Sequence, residues 1–260
     1  MDTSGGGKYG ERAGIIVQAR MGSSRLPGKV ALPFLGSRSM LEVILERLVP
    51  AGLPRLVATS VLPQDDAIAT LARKAGVPVF RGHAEDVLRR FIDAGNFLKV
   101  GHVLRVCADS PFLSPRLLGL LIEAGERLPE ADYLSFTWEG QPTILSHLGV
   151  FAEWVSLQAL ERAAQATNEP VHREHVTNYL YRHPEGFRLE WLQTPEDFNP
   201  PDHCRLTVDT LADLSVCQRI YRDLREAGFP MPDYLEVFDY LFRHPEWRRE
   251  MEEQIKLNRK

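Results

Sequence analysis

The chain is predicted to be an α/β protein built on a mostly parallel sheet with helices on both faces. Three observations predict this. Short apolar runs bounded by turn residues alternate with segments whose apolar residues recur at helical spacing. The runs are apolar at successive positions, as strands covered on both faces require. Polar residues follow the runs directly, at the carboxyl ends of strands, where such sheets bind ligands.

Taken in order, Ile15 to Gln18 is a buried strand, and Met40, Val43, Ile44, Leu45 and Leu48 mark a helix. Arg55 to Ser60 (RLVATS) is a strand ending in Thr59-Ser60. Asp66, Ile68, Leu71 and Ala72 start a helix that Gly76 stops before the strand Val77 to Arg81. Asp86 to Phe97 is helical and Gly101 to Cys107 (GHVLRVC) is again a buried strand. Pro115 opens a helix reaching about Leu128, since proline is tolerated in a first helical turn. The pattern changes after Asp132. Strands are expected over Tyr133 to Trp138, Thr143 to His147 and Gly149 to Val155, then a helix from Leu157 to Ala166. His175 to Arg182 reads as helix, Phe187 to Leu192 and Arg205 to Asp209 as strands, and Asp213 to Glu226 as helix. Pro232 onward is helical and ends in a charged tail. Residues 132–202 thus read as an α+β elaboration on the core, to which Cys204 to Phe229 return. No internal repeat is found.

Gly14 to Lys29 (GIIVQARMGSSRLPGK) runs a strand straight into a glycine- and serine-rich loop carrying Arg20, Arg25 and Lys29. Glycine lets backbone N–H groups approach an anion, while guanidinium forks and an ammonium neutralise it. The loop points to a nucleoside triphosphate or diphosphate.

With 260 residues, 44% of them hydrophobic and 25% charged, the chain can bury a full core as an ordinary globular protein. A net charge of -4 argues against general nucleic-acid binding. Cys107, Cys204 and Cys217 are odd in number and form no CxxC pair, which suits a reducing cytoplasm. Residues 1–13 are expected to be a flexible leader, glycine-rich and without the apolar centre of a signal peptide. No run approaches the length needed to cross a bilayer.

Asp109, in LRVCADSP, stands at a strand's carboxyl end. That suits a ligand of magnesium, which takes one or two carboxylates and completes its shell with phosphate and water. Asp is also a favoured helix N-cap, so both readings stand at this point. Asp209 in LTVDTLADL has the same form. Two such aspartates in one cleft with the loop cations would make a metal–triphosphate site.

Six segments in order, IIVQARMGSSRLPGK, VATS, FRGHAEDVLRRF, RVCADSPFLSP, REHVT and LTVDTLADL, resemble the motifs of the spore-coat polysaccharide cytidylyltransferases. These belong with the wider CMP-sugar synthetases, including the acylneuraminate and 3-deoxy-manno-octulosonate cytidylyltransferases. The resemblance runs from about Gly14 to Leu224. It implies a nucleotide-diphospho-sugar transferase fold over residues 14–260. It also implies attack of an acceptor oxygen on the α-phosphate of CTP with release of pyrophosphate. By the match, Arg20, Arg25 and Lys29 hold the triphosphate and Asp109 and Asp209 the Mg2+. Gln18, Ala19, Met21, Gly22 and Ser23 of the loop are substrate-binding positions. Thr59, Ser60 and Asp86 lie near the cytidine, although Asp86 equally reads as the start of its helix. Cys107 and Ala108 would line the base pocket. Glu153 and His175 are the acceptor-side candidates. The partners implied are CTP and a small sugar or sugar acid, in a cytoplasmic homodimer.

Two positions depart from the family's habit. Ala108 stands where Gly is more common before the metal aspartate, and Phe151 stands where Asp often precedes the acceptor-side glutamate. Two rivals are weighed. A nucleotide-sugar glycosyltransferase of the same architecture would usually carry Asp-x-Asp where this chain has Asp109-Ser110-Pro111. A nucleotide-binding module without catalysis would have no need of the full set of cations and aspartates. His172, His175 and His183 crowd one segment, but without zinc-ligand spacing. Trp138, Trp154, Tyr179 and Tyr181 divide between core and an acceptor wall or dimer contact.

Overall fold

The computed structural model describes residues 12–257. Strand β1 (Ala13–Gln18) is followed by a small hairpin of β2 (Pro33–Leu35) and β3 (Arg38–Ser39). Then come α1 (Met40–Arg47), β4 (Arg55–Ser60), α2 (Asp66–Lys74), β5 (Val79–Gly82), α3 (Val87–Leu98), β6 (His102–Cys107) and α4 (Pro115–Arg127). The middle of the chain forms β7 (Tyr133–Trp138), β8 (Gln141–Pro142), β9 (Glu153–Ser156) and α5 (Leu157–Ala166). It continues through α6 (Pro170–Glu174), α7 (Asn178–Arg182) and β10 (Leu189–Gln193). Helices α8 (Leu211–Glu226), α9 (Tyr234–Arg243) and α10 (Pro245–Leu257) complete it.

One eight-stranded sheet runs β10-β7-β9-β6-β1-β4-β5, with β8 paired to β7. β1 pairs in parallel with β4 and β6, β4 with β5, and β10 with β7. The exceptions are β9, antiparallel to both neighbours, and β8, antiparallel to β7. Because β1 is central, Ile15, Ile16 and Val17 are all completely buried. Ile15 and Val17 join a core with α1, α2, α4, α8 and α9, whereas Ile16 points to a second core with α3, α5 and α7. That alternation across the pleat is why the strand is apolar at every position.

Several local expectations are corrected. Residues 143–145 form a 3-10 turn rather than part of a strand. The strand expected over Gly149 to Val155 shrinks to β9. Its start, residues 149–152, runs instead beside the 206 segment, where the Cβ of any residue replacing Gly149 would lie 2.9 Å from Leu206. The helix expected over His175 to Arg182 shortens to α7, with residues 175–177 a non-helical link from α6. Arg205 to Asp209 joins no ladder. It is extended chain whose Val208 N–H donates to Asp109 O at 2.8 Å and whose Leu206 N–H donates to His147 O at 2.9 Å. The elaboration after Asp132 contributes β7, β8, β9 and β10 to the main sheet. The leader lies outside the described residues except for its end, where Ala13 already belongs to β1.

One glycine lets a helix approach the sheet closely. A Cβ on Gly125 of α4 would lie 2.4 Å from the indole of Trp154 on β9. Trp154 is 2% exposed and stacks on His102, so it has no room to retreat. Alanine normally favours a helix interior over glycine by about 1 kcal/mol. Gly125→Ala is nevertheless expected to destabilise the chain by about 1–3 kcal/mol through overpacking. Thermal unfolding followed by circular dichroism checks this, and an unchanged or raised Tm contradicts it.

Candidate active site

β1, β4 and β6 all end on one edge of the sheet, and the loops leaving them meet there with the 205–210 segment. The loop after β1 closes on itself, because Met21 O accepts from the N–H groups of Ser23 (2.9 Å) and Gly28 (2.8 Å). Gly28 has φ +72°, a left-handed turn that glycine adopts without strain, and it sends Lys29 back toward the sheet. An anchor that sequence reading missed holds the loop down. Asp65 is 1% exposed and accepts from Met21 N–H at 2.7 Å, from Ser60 N–H at 3.2 Å and from the Ser60 hydroxyl. It ties the loop to the end of β4. In sequence, Asp65 looks like one more acidic residue at a helix start, and only the fold brings Met21 to it.

Lys29 is the centre of the site. Its ammonium donates to Asp109 Oδ2 at 3.0 Å, Asp209 Oδ1 at 3.0 Å and Val208 O at 2.7 Å, and the residue is 8% exposed. Burial alone would lower its pKa. The charges of Asp109 and Asp209 outweigh burial and raise it, so the group stays an ammonium. Arg25 reaches Asp209 Oδ1 at 3.1 Å. Asp209 is held below its ordinary range despite burial, chiefly by Lys29 and then by Arg25 and Arg205.

The alternative reading of both aspartates as helix caps is removed. Ser114 caps α4, and Thr210 caps α8 in a capping box with Asp213. Asp209 is instead braced from behind. The completely buried Arg205 donates to Asp209 Oδ2 at 3.1 Å and to both oxygens of Asp213. Asp213 in turn accepts from the N–H groups of Asp209 and Thr210, each at 2.9 Å. Main chain and side chain of Asp209 are thus fixed by one buried pair. Two carboxylates that share one cation, at a sheet edge lined with guanidinium groups, are hard oxygen donors in the number Mg2+ takes from protein. The residues therefore fit the ion.

The remaining candidates divide. Arg20 pairs with Glu174 at 2.7 Å, and both side chains are about half exposed. The hydrogen bond from Arg20 lowers the Glu174 pKa. Gln18 accepts at Oε1 from Arg105 Nη2 at 3.3 Å, Ala19 is buried, and Met21, Gly22 and Ser23 are on the loop's outer turn. Thr59 and Ser60 are buried at the end of β4. Asp86 caps α3, accepting from Arg89 N–H at 2.8 Å, and pairs with Arg173 at 3.1 Å. It lines a cleft of about 700 Å³ beside α3 with His83, Arg89, Asp93 and Arg173, and none of the loop cations reaches it. Cys107 is half-buried at the end of β6, while Ala108, at 2% exposure, packs into the core. Glu153 is 2% exposed and already engaged by Arg105, Thr177 and Tyr133. His175 is exposed between α6 and α7. Trp154 is core. His172 and His183 flank Tyr179, and the described residues contain no group of three side chains able to hold a metal. Phe151 joins an aromatic cluster, 5.4 Å from Phe136 and 5.2 Å from Phe198.

The chain is similar to known proteins in sequence and in fold. The chain is 35% identical over 238 residues to an uncharacterised protein of Methanocaldococcus jannaschii, covering 89% of this chain and 90% of that one. It is 33% identical over 245 residues to the spore coat polysaccharide biosynthesis protein SpsF of Bacillus subtilis, covering 91% and 97%. Its fold matches a cytidylyltransferase from Leptospira borgpetersenii serovar Hardjo-bovis with a TM-score of 0.80 at 27% identity, over 91% of this chain and 96% of that one. The architecture is thus that of the nucleotide-diphospho-sugar transferases. The cytidylyltransferase family model spans residues 14–219, from the first residues of β1 through the loop cations and both aspartates into α8. With its motifs, fold and charged centre in agreement, the chain belongs to the cytidylyltransferase family.

Proposed function

We propose that the chain transfers CMP from CTP to a hydroxyl of a sugar or sugar acid, with release of pyrophosphate, in the synthesis of a surface polysaccharide. The observation that carries this is the convergence of Lys29 and Arg25 on Asp109 and Asp209 at the sheet edge, with Arg20 on the same loop. The acceptor hydroxyl oxygen bonds to the α-phosphorus as the bond to the bridging oxygen breaks; pyrophosphate leaves with that electron pair, and the hydroxyl proton passes to solvent. Arg20, Arg25 and Lys29 would neutralise the charge that builds on the leaving group. Asp109 and Asp209 would hold Mg2+, which when bound supplies Lewis-acid neutralisation of phosphate oxygens. The chain's own contribution is positioning, since no side chain at the centre is placed as a free general base.

The acceptor belongs to the side of the fold built by β7, β9 and the α6–α7 segment, where His175 is exposed. Phe151, an aromatic side chain in place of an acid, favours an acceptor unlike that of typical members. A homodimer in the cytoplasm is part of the same proposal, and analytical ultracentrifugation tests the dimer. No helix among the described residues is long and apolar enough to cross a membrane.

The direct test incubates the chain with CTP, Mg2+ and a panel of sugars and sugar acids and follows pyrophosphate. Turnover with CTP in preference to the other nucleoside triphosphates is expected. No binding of CTP and no pyrophosphate with any acceptor would refute the proposal. Tighter binding of a nucleotide-sugar than of CTP would favour a glycosyltransferase.

A further inference from the structure

The ammonium of Lys29 has three N–H bonds and three acceptors, two of them the carboxylates expected to hold the metal. The group is therefore saturated. Around it, Lys29, Arg25 and Arg205 face Asp109, Asp209 and Asp213, three cations against three carboxylates. A free divalent cation meets a seat that is already neutral. To enter, it must displace an ammonium that is 8% exposed and that would keep only Val208 O of its three acceptors. Burying an unpaired charge is strongly unfavourable. A triphosphate changes the balance, because its oxygens offer Lys29 and Arg25 new partners as the carboxylates are released.

We propose that Lys29 keeps the two-aspartate seat closed to free divalent cations, so that the site takes its metal only together with a triphosphate. This rests on the reading of the site as a metal–triphosphate centre. The ligand is then the metal–nucleotide complex, and the coupling between metal and nucleotide is positive and reciprocal. The phosphates, not the base, drive the exchange, so inorganic tripolyphosphate should open the seat as CTP does.

Equilibrium dialysis of Mn2+ against the full chain tests this. Wild type alone is expected to retain little Mn2+, and at least about tenfold tighter retention is expected with CTP or tripolyphosphate present. Lys29→Met, which removes the one cation shared by both carboxylates, is expected to bind Mn2+ without nucleotide at least about tenfold more tightly than wild type. Lys29→Arg, which keeps a cation, is expected to exclude it as wild type does. Where CTP itself binds, equal Mn2+ binding by wild type with and without it overturns the proposal. So does a folded Lys29→Met chain that binds no more tightly than wild type. If Lys29→Met fails to fold by circular dichroism, the wild-type comparison decides alone. If wild type binds neither CTP nor tripolyphosphate, the cytidylyltransferase reading falls, while the Lys29→Met comparison on Mn2+ alone still decides the role of Lys29.

Discussion

Asp109→Asn and Asp209→Asn are each expected to lower pyrophosphate release from CTP by about a thousandfold or more, since each removes a charge on which the phosphoryl-transfer site is built. Their effects on stability should differ. The Asp109 side chain is 30% exposed, and loss of its ion pair with Lys29 is screened by solvent. Asp209 is 11% exposed and faces Lys29, Arg25 and Arg205 together. Its neutralisation leaves buried cations short of a partner, and about 1–3 kcal/mol of stability should go with it. The loss should depend on pH with a definite sign. The folded-state pKa of Asp209 lies below its ordinary value of 3.8. Its contribution is therefore complete above that value and disappears as pH falls through the folded pKa. Wild type and Asp209→Asn should differ in Tm by a constant amount at pH 6–8 and converge in strong acid. Calorimetry across pH, with a pyrophosphate assay on the same preparations, checks both halves. Retained turnover in either variant removes that aspartate from the chemistry.

The parts of this site visible in the sequence are those carried by local pattern. An apolar run ending in a basic glycine loop, and an aspartate just beyond a strand, are short-range signals, and the carboxyl-end rule sets Arg25, Lys29 and Asp109 on one edge. Asp209 was reached by a wrong local argument. LTV alternates as a strand does, but Arg205 to Asp209 lies as extended chain against Asp109 and His147 and joins no ladder. Asp65, Glu174 and the Arg205–Asp213 brace were not legible as parts of a site. Asp65 meets Met21 across 44 residues and Glu174 meets Arg20 across 154. A carboxylate's partner at that range is set by topology rather than spacing. How the elaboration after Asp132 attaches to the core was likewise beyond local pattern. The element pattern changes there, and β9 runs antiparallel between β6 and β7, joining the elaboration to the core in one sheet.

Glu153→Ala is expected to be the most destabilising substitution near the site, by about 3–5 kcal/mol, because it strands the buried guanidinium of Arg105. The two side chains are 3% and 9% exposed, and the pair spans neighbouring strands β9 and β6. Glu153 Oε1 also accepts from Tyr133 and Thr177, each at 2.7 Å. Arg105 Nη2 passes on to Gln18 at 3.3 Å, at the root of the basic loop. At about 2–4 °C per kcal/mol for a chain of this size, Tm should fall by about 10 °C. Glu153→Gln, which keeps the shape and the acceptor, should lose less. Replacing both partners, as Arg105→Met with Glu153→Leu, should recover much of the loss, because a buried pair exchanged for apolar groups costs little while a broken one costs a great deal. Kinetics separates scaffold from chemistry. If Glu153 acts only by keeping β6 and β9 folded together, the double variant regains stability and part of its turnover together. If the carboxylate itself meets the acceptor, the double variant folds well and stays inactive, with KM for the acceptor raised and CTP affinity unchanged.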